Sequence, residues 1–569
     1  MTPTPLLIDF ETYYDKDYSL RKMPTVQYVR DPRFKVLGAS VGTPKNTPQW
    51  MEGQELRHYL SKCRWSQTAL VAHNAAFDGL ILTEHFGHRP AEYHCTMLML
   101  RYLLSQGVID SEQATSLGAA APLVGMAKGD LDAALESGQI DVYAKLDGLI
   151  LRELYKKYWH LIPESERAYM DIHTRMATEP SFELDIPLLT KMAQQDLELE
   201  SLFPIVRKDE HFAALLTSHG VNPEWKTTDK GTYKLAVAKT DAFMQRLLVH
   251  DSPRVRRLAE IRQKASSTIE RTRSQRFLDC GSPLPVPLLY FGAHTGRASG
   301  QDKINLQNLK RGGELRHAIK APEGHKLVIV DSGQIEVRVL AWLAGETHLL
   351  EAFRAGIDPY RRFGATLYEK TMDEISAFPE RQVAKAAVLA LGFGQGANGF
   401  LNYCDNFGVP MEEKLAARTV KVYRATHPAI RAYWKKLERE VREKGQVMLP
   451  SGRAVVYPDL REGEDGLEYR RHRIFRKAGA EGWTNLWHGG ITNNVVQSTE
   501  RDVVFHQTRM LADEWSVALM AHDEAVLVVP DELVPEAVEA CQIAFGAAPD
   551  WAAGLPLVGE AQVSEVYTK

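Results

Sequence analysis

Residues 326–345, KLVIVDSGQIEVRVLAWLAG, change pattern halfway: an apolar run from Leu327 to Val330 ends on Asp331, and from Gln334 the pattern turns helical. Ile335, Val339, Trp342 and Leu343 form one apolar stripe at helical spacing. The stretch predicts a buried strand that brings one carboxylate to the end of a sheet, with a helix directly after it. Alone, Asp331 would more often be a helix N-cap than a group that does chemistry.

Residues 517–529, VALMAHDEAVLVV, hold two short strand-like runs, Val517 to Ala521 and Ala525 to Val529, around His522-Asp523-Glu524. Three polar residues between apolar runs predict a tight hairpin. Acids at a hairpin tip are ordinarily a solvated turn. Beside a strand-end Asp on a neighbouring strand, they become a site for two divalent cations, hard ions that take oxygen ligands and clamp both oxygens of a phosphoryl displacement. In residues 381–394, RQVAKAAVLALGFG, Arg381, Lys385, Leu389 and Phe393 are four apart and drift slowly around one helical face. Two cations followed by two bulky apolar residues suit a triphosphate at one end and a base at the other. An Arg/Lys pair on a helix is more often just a solvated face.

In this order the three stretches resemble the family A (DNA polymerase I-like) enzymes. DSGQIE is similar to motif A, the R-x3-K-x7-F-G helix to motif B, and HDE to motif C. The resemblance implies an α+β right-hand polymerase domain over 156–569, with the thumb at about 190–285, the palm at about 286–345 and 505–569, and the fingers at about 346–500. It implies dNTP addition to a primer 3′ end, with Asp331 and Asp523 as metal carboxylates and Glu524 supporting them or the primer end. Arg381 and Lys385 would take the phosphates, and Phe393 would stack near the templating base. Leu389, Glu336 and His522 would surround the nucleotide, Glu336 where the family excludes a ribose 2′-hydroxyl.

HTGRASGQDKINLQNLKR, residues 294–311, resembles the family's T-G-R…N-L-Q-N segment, which implies that Arg297, Gln307 and Asn308 touch primer–template sugars and the minor groove. Asn493 and Gln497 resemble positions facing the template or the nascent pair, although their spacing alone equally suits a solvated helix face. Arg316 is a further candidate phosphate contact. Residues 253–276 carry Arg254, Arg256, Arg257, Arg262, Lys264, Arg271, Arg273 and Arg276 against two glutamates, with Ser266, Ser267 and Thr268 between the charges. In this setting the stretch predicts a thumb that grips phosphates without reading sequence. Two departures stand out: Ser332-Gly333 where the family often has Tyr-Ser, and Leu389 where an aromatic often packs on the sugar.

At the N-terminus, LIDFETY places Asp9 and Glu11 on one face of a strand. Asn74 and Asp78 follow a second strand-like run, and Tyr143 and Asp147 lie one helical turn apart. The ordered set resembles the DEDDy 3′–5′ exonucleases. It implies an RNase H-like α/β domain over 1–155 in which Asp9, Glu11, Asp78 and Asp147 hold two metals and Tyr143 orients the attacking water. The plainer alternative is an α/β domain whose acids are caps and surface charges.

A chain of 569 residues accommodates several domains, and 44% hydrophobic with 25% charged residues is ordinary for a globular protein. A net charge of −4 does not advertise a nucleic-acid binder, but only a local basic face is needed. Five scattered cysteines without a CxxC pair argue against zinc and disulfides. With no secretory signal and no apolar run near the ~20 residues that span a bilayer, a cytoplasmic protein is expected, in the host cell if phage-encoded. The compact size suits a bacteriophage replication enzyme with proofreading and no room for an N-terminal 5′-nuclease. The resemblance implies Mg²⁺, two per active site, with Mn²⁺ as a substitute. Primer–template DNA and dNTPs are the expected partners, with a processivity factor, helicase or single-strand binding protein as further ones, and no membrane. The competing reading is a 3′–5′ exonuclease whose C-terminal part only binds DNA.

Overall fold

The computed structural model describes residues 2–195, 197–227, 231–239, 241–266, 269–476 and 479–568. Its first sheet has five strands in the spatial order Gln49–Met51, Val36–Gly42, Thr4–Thr12, Thr68–Ala72, Glu92–Cys95. Thr4–Thr12 runs antiparallel to Val36–Gly42 and parallel to Thr68–Ala72. Helices Ala75–Phe86 and Ile140–Tyr158 pack against this central strand, which buries Leu6, Leu7 and Ile8. This is the expected RNase H-like α/β layer. The end of the N-terminal domain expected at 155 falls inside helix Ile140–Tyr158.

The second sheet has four antiparallel strands in the order Val517–Ala521, Glu524–Pro530, His325–Ser332, Gly559–Ser564. The apolar run is buried on both faces, as predicted. Leu327 and Ile329 join the large core shared with the N-terminal sheet, while Val328 and Val330 face helix Val534–Gly546. Asp331 is the penultimate residue of the strand, opposite Glu524 on one side and Glu560 on the other. Gln334 (φ 54°) occupies the N-cap of helix Ile335–Ala344, which removes the capping alternative for Asp331. Ile335 and Val339 are buried with Trp342 and Leu343 alongside, as the stripe predicted.

Helix Glu380–Leu391 packs on helix Pro359–Tyr368 in a helical lobe whose core includes Phe353, Tyr360 and Phe363. The helix ends at Leu391, and Gly392 keeps a right-handed helical backbone; Phe393 N–H bonds to the Ala390 carbonyl at 3.3 Å and Gly394 N–H to the Leu391 carbonyl at 3.0 Å, before Gly394 (φ 78°) breaks the turn.

A smaller lobe has its own core around Phe203, Phe212, Phe243 and Val255, with helix Pro253–Ser266 in it. Arg254 and Arg257 are exposed there, Arg257 lying 3.2 Å from Glu260, and Lys264 is half-buried. Arg262 is turned inward onto Asp209 and the Val206 carbonyl, so this member of the basic run secures the lobe instead of gripping phosphate. Ser267 and Thr268, and residues 228–230 between the antiparallel strands Trp225–Thr227 and Tyr233–Leu235, lie outside the described residues.

One continuous core runs from Leu7 and Tyr93 through Tyr169, Phe182 and Tyr290 to Leu327, Leu519 and Tyr567. In its seam Arg501, 1% exposed, makes bonds of 2.6 and 2.8 Å to Glu166 among the rings of Tyr169, Tyr290, Phe291 and Phe505. Arg101 adds a second tie by donating to the carbonyls of Tyr290 (2.9 Å) and Phe291 (2.6 Å). No helix among the described residues is long and apolar enough to cross a membrane.

Candidate active sites

The first site grows from strand alternation. Asp9 and Glu11 point the same way from Thr4–Thr12, and Asp147 faces them from helix Ile140–Tyr158. Carboxylate oxygens of the three lie within 4.8 Å of one another. Asp78 is buried beside them, with one oxygen committed to the Phe10 N–H at 3.0 Å. Burial, then the charge of Asp147, lifts Asp9 to about 7; burial, then Asp9, lifts Glu11 to about 9. Burial also raises Asp78 and Asp147. The Oδ1 of Asp147 is buried without a hydrogen-bond partner, while Lys128 pairs with the other oxygen and sits 5.1 Å from the Tyr143 ring centre. Burial and the adjoining acids push the Tyr143 hydroxyl up, so it stays protonated and bonds to Asp147.

The second site forms where the hairpin joining Val517–Ala521 to Glu524–Pro530 meets the end of the inner strand His325–Ser332. The hairpin tip is only His522 (φ 57°) and Asp523, because Ala521 already pairs with Glu524. Glu524 is therefore a strand residue, buried and accepting the Tyr567 hydroxyl at 2.7 Å. The Ser332 N–H donates to the Asp523 carbonyl at 2.9 Å, which clips the end of the Asp331 strand to the hairpin. Burial first, and the charge of Asp331 second, lift the Asp523 carboxyl to about 6.

A cleft of about 330 Å³ opens over this point, lined by Arg297, Glu336, Leu389, Glu500, His522 and Asp523. Gln307 donates to the Met520 carbonyl at 3.4 Å, seating the N-L-Q-N loop against the hairpin, and the Asn308 carbonyl accepts Arg273 at 3.2 Å. Asn493 and Gln497 bond to each other at 3.2 Å on helix His488–Ala512. Arg381 is held at 2.7 Å by Asp358, which also caps helix Pro359–Tyr368, and the Tyr360 ring lies 5.4 Å from Arg381 and 5.9 Å from Lys385. Arg381, Lys385 and Phe393 stand outside the cleft lining. Leu389 is the member of their helix pattern that reaches it.

Arg316 also departs from expectation. It is buried, donates to the Leu309 carbonyl at 3.1 Å and lies over Tyr567 at 4.4 Å, so it shapes a loop and does not reach for phosphate. A Cβ at Gly333 would come within 2.9 Å of Glu560 Oε1, the far end of a flexible side chain that can move aside. Sequence reasoning missed Lys128, Glu500 and Tyr567. Glu500 was findable, because it follows Gln497 at helical spacing. Its carboxyl is lifted to about 8 by burial, with Arg297 pulling the other way. Lys128 sits in a loop and has no periodic signal.

The family model for DNA polymerase family A matches residues 214–569. A DNA polymerase of Bacillus phage SP02 is 26% identical over 677 aligned residues, covering 99% of both proteins. DNA polymerase I of Pseudomonas aeruginosa is 30% identical over 284 residues, which are 48% of this chain and 28% of that protein, so the chain spans only a minor part of the bacterial relative. The fold matches the polymerase domain of Pol1 from M. smegmatis, solved in complex with DNA primer-template and dNTP, at a TM-score of 0.69 and 15% identity, covering 100% of this chain and 96% of that one.

Proposed function

This chain belongs to DNA polymerase family A, and on that premise we propose that it adds dNTPs to a primer 3′ end under template direction and edits the product with a 3′–5′ exonuclease site. The observation that carries the reading is Asp523, which feels the charge of Asp331 beside it and lines one cleft with Leu389 and Glu336. In this reading the exonuclease domain is 1–155, and the polymerase domain is 156–569 with thumb, palm and fingers at the boundaries given above.

Both sites offer hard oxygen donors, whose burial first and neighbouring acids second lift Asp523 to about 6 and Asp9 to about 7. Such donors fit Mg²⁺, or Mn²⁺ in its place, and suit no soft-ligand metal. Asp331 and Asp523 would hold it at the polymerase site, and Asp9, Glu11, Asp78 and Asp147 at the exonuclease site. When bound, the divalent cations supply a lowered pKa for the attacking hydroxyl or water and neutralisation of phosphoryl oxygens.

In polymerisation the primer 3′-hydroxyl gives up its proton to solvent as its oxygen bonds to the α-phosphorus of the dNTP, and pyrophosphate leaves with the electron pair of the broken P–O bond. Arg381 and Lys385 bring positive charge to the triphosphate as the fingers approach, a positioning and electrostatic contribution. Leu389, Phe393 and His522 bound the base and sugar, and Glu336 excludes a 2′-hydroxyl. Arg297, Gln307, Asn308, Asn493 and Gln497 test the minor-groove side of the nascent pair, while Arg254, Arg257 and Lys264 hold duplex phosphates. Glu524, tied to Tyr567, supports the hairpin. In editing, the protonated Tyr143 orients the attacking water. The working partners are primer–template DNA and dNTPs in the host cytoplasm, with a processivity factor, helicase or single-strand binding protein alongside.

Primer extension on matched and mismatched primer–templates with Mg²⁺ tests the reading, with wild type beside Asp523→Ala and Asp9→Ala. Asp523→Ala should abolish extension and spare degradation, and Asp9→Ala should do the reverse. A wild type that degrades primers and never extends them would leave an exonuclease with a DNA-holding C-terminal part.

A further inference from the structure

The polymerase cleft contains a carboxylate that the mechanism above does not use. Glu500 is 2% exposed, and its Oε2 lies 2.6 Å from Arg297 Nη2. The same nitrogen is 3.4 Å from Glu336 Oε1, a weaker contact at a half-exposed side chain. A buried carboxylate is costly to keep, and beside DNA it adds like-charge repulsion, so an apolar residue would be the cheaper choice unless the pair has a task.

Glu500 is also rigidly mounted. Its helix neighbours are each locked in buried bonds, Arg501 to Glu166 at 2.6 Å and Asp502 to Arg453 at 2.9 Å. The carboxylate therefore has little freedom of its own. Arg297, by contrast, keeps an edge on the cleft: its side chain is 19% exposed, it lines the cleft, and its ion pairs with Glu500 and Glu336 both run from Nη2. A guanidinium carries its N–H groups in one rigid plane, so fixing Nη2 fixes the direction of the others.

We infer that Glu500 is a positioning residue for Arg297: its buried carboxylate sets the plane of the guanidinium so that its edge on the cleft faces the primer end and the base pair being formed. This rests on the polymerase reading above. Glu500 touches neither substrate nor reacting atoms and acts through Arg297, by orienting it before DNA arrives. A correctly shaped pair meets a donor already aimed at its minor-groove acceptors, whereas a misshapen pair meets one that cannot swing to follow it. Glu500 thus serves discrimination as well as rate.

Single-nucleotide insertion on matched and mismatched primer ends tests this, with wild type, Glu500→Ala, Glu500→Gln, Arg297→Ala and the Glu500→Ala/Arg297→Ala pair. Wild-type insertion is the control for the polymerase reading, because a wild type that inserts nothing fails that reading and not this one. Glu500→Ala should lower matched insertion about 10-fold, mainly in kcat, and mismatched insertion by less. In the Arg297→Ala background the same change should cost less than about 2-fold, because the residue it positions is gone. Glu500→Gln keeps the shape and one hydrogen bond and should recover part of the loss, so it carries the test if the alanine variant folds poorly. Equal losses in both backgrounds, or Glu500→Ala and Glu500→Gln both inserting at the wild-type rate and selectivity, would overturn the inference.

Discussion

Replacing Glu166 by alanine strands the Arg501 guanidinium in the seam between the two halves, where its side chain is 1% exposed. Two bonds to Glu166, of 2.6 and 2.8 Å, disappear, while those to Asp502 (2.9 Å) and the Gly296 carbonyl (3.2 Å) remain. Breaking a buried pair by removing one partner costs about 3–5 kcal/mol. The surviving partners place this case at about 3 kcal/mol. Unfolding entropy near 2.1 cal/mol/K per residue gives about 1.2 kcal/mol/K for 569 residues, so the melting midpoint should fall by about 2–3 °C if the chain melts as one unit. Scanning calorimetry reads this directly. Adding Arg501→Met removes the stranded charge and should recover most of the loss, since an apolar pair of similar volume tolerates the site. A Glu166→Ala protein that melts within 1 °C of wild type, or a double variant no more stable than the single one, would refute the reasoning.

Metal-free stability should depend on pH through Asp9 and Glu11, which are lifted to about 7 and about 9 in the folded protein. The folded state then holds these protons more tightly than the unfolded one, where carboxyls titrate near about 4, so stability declines as pH rises from about 5 to 9. In EDTA the melting temperature should follow that decline, MgCl₂ should restore more at pH 8.5 than at pH 5.5, and Asp9→Asn should flatten the slope. An unchanged slope in Asp9→Asn would count against the cluster. Lys128→Met removes the cation beside Asp147 and should slow degradation of single-stranded primer on the order of 10-fold, with extension untouched; equal slowing of both activities would point to misfolding. Leu389→Phe places an aromatic face in the cleft, worth about 1 kcal/mol, and should lower the KM for dNTP about 5-fold, a change that steady-state extension can detect or exclude.

The sites were legible where chemistry follows chain periodicity. Asp9 and Glu11 share a face because strands alternate, and Asp331 ends a run apolar enough to need cover on both sides. What escaped depends on long-range packing. Arg262 has the same charge as Arg257, and only the fold of its small lobe turns one inward to Asp209 and leaves the other exposed. Lys128 reaches Asp147 from a loop, so no local pattern announces the pair.

The unbroken core from Leu7 through Tyr169 and Tyr290 to Leu327 has a consequence for how errors are corrected. The two carboxylate clusters are fixed stations on one body, so neither travels to meet a mistake. On the proposed reading, the strand end itself must peel away from its template and cross the interval. The frequency of editing is then governed by how readily the last base pairs come apart. Warmth, a mispair or a run of A·T pairs at the growing end diverts it toward trimming, while a G·C-rich end stays and is lengthened.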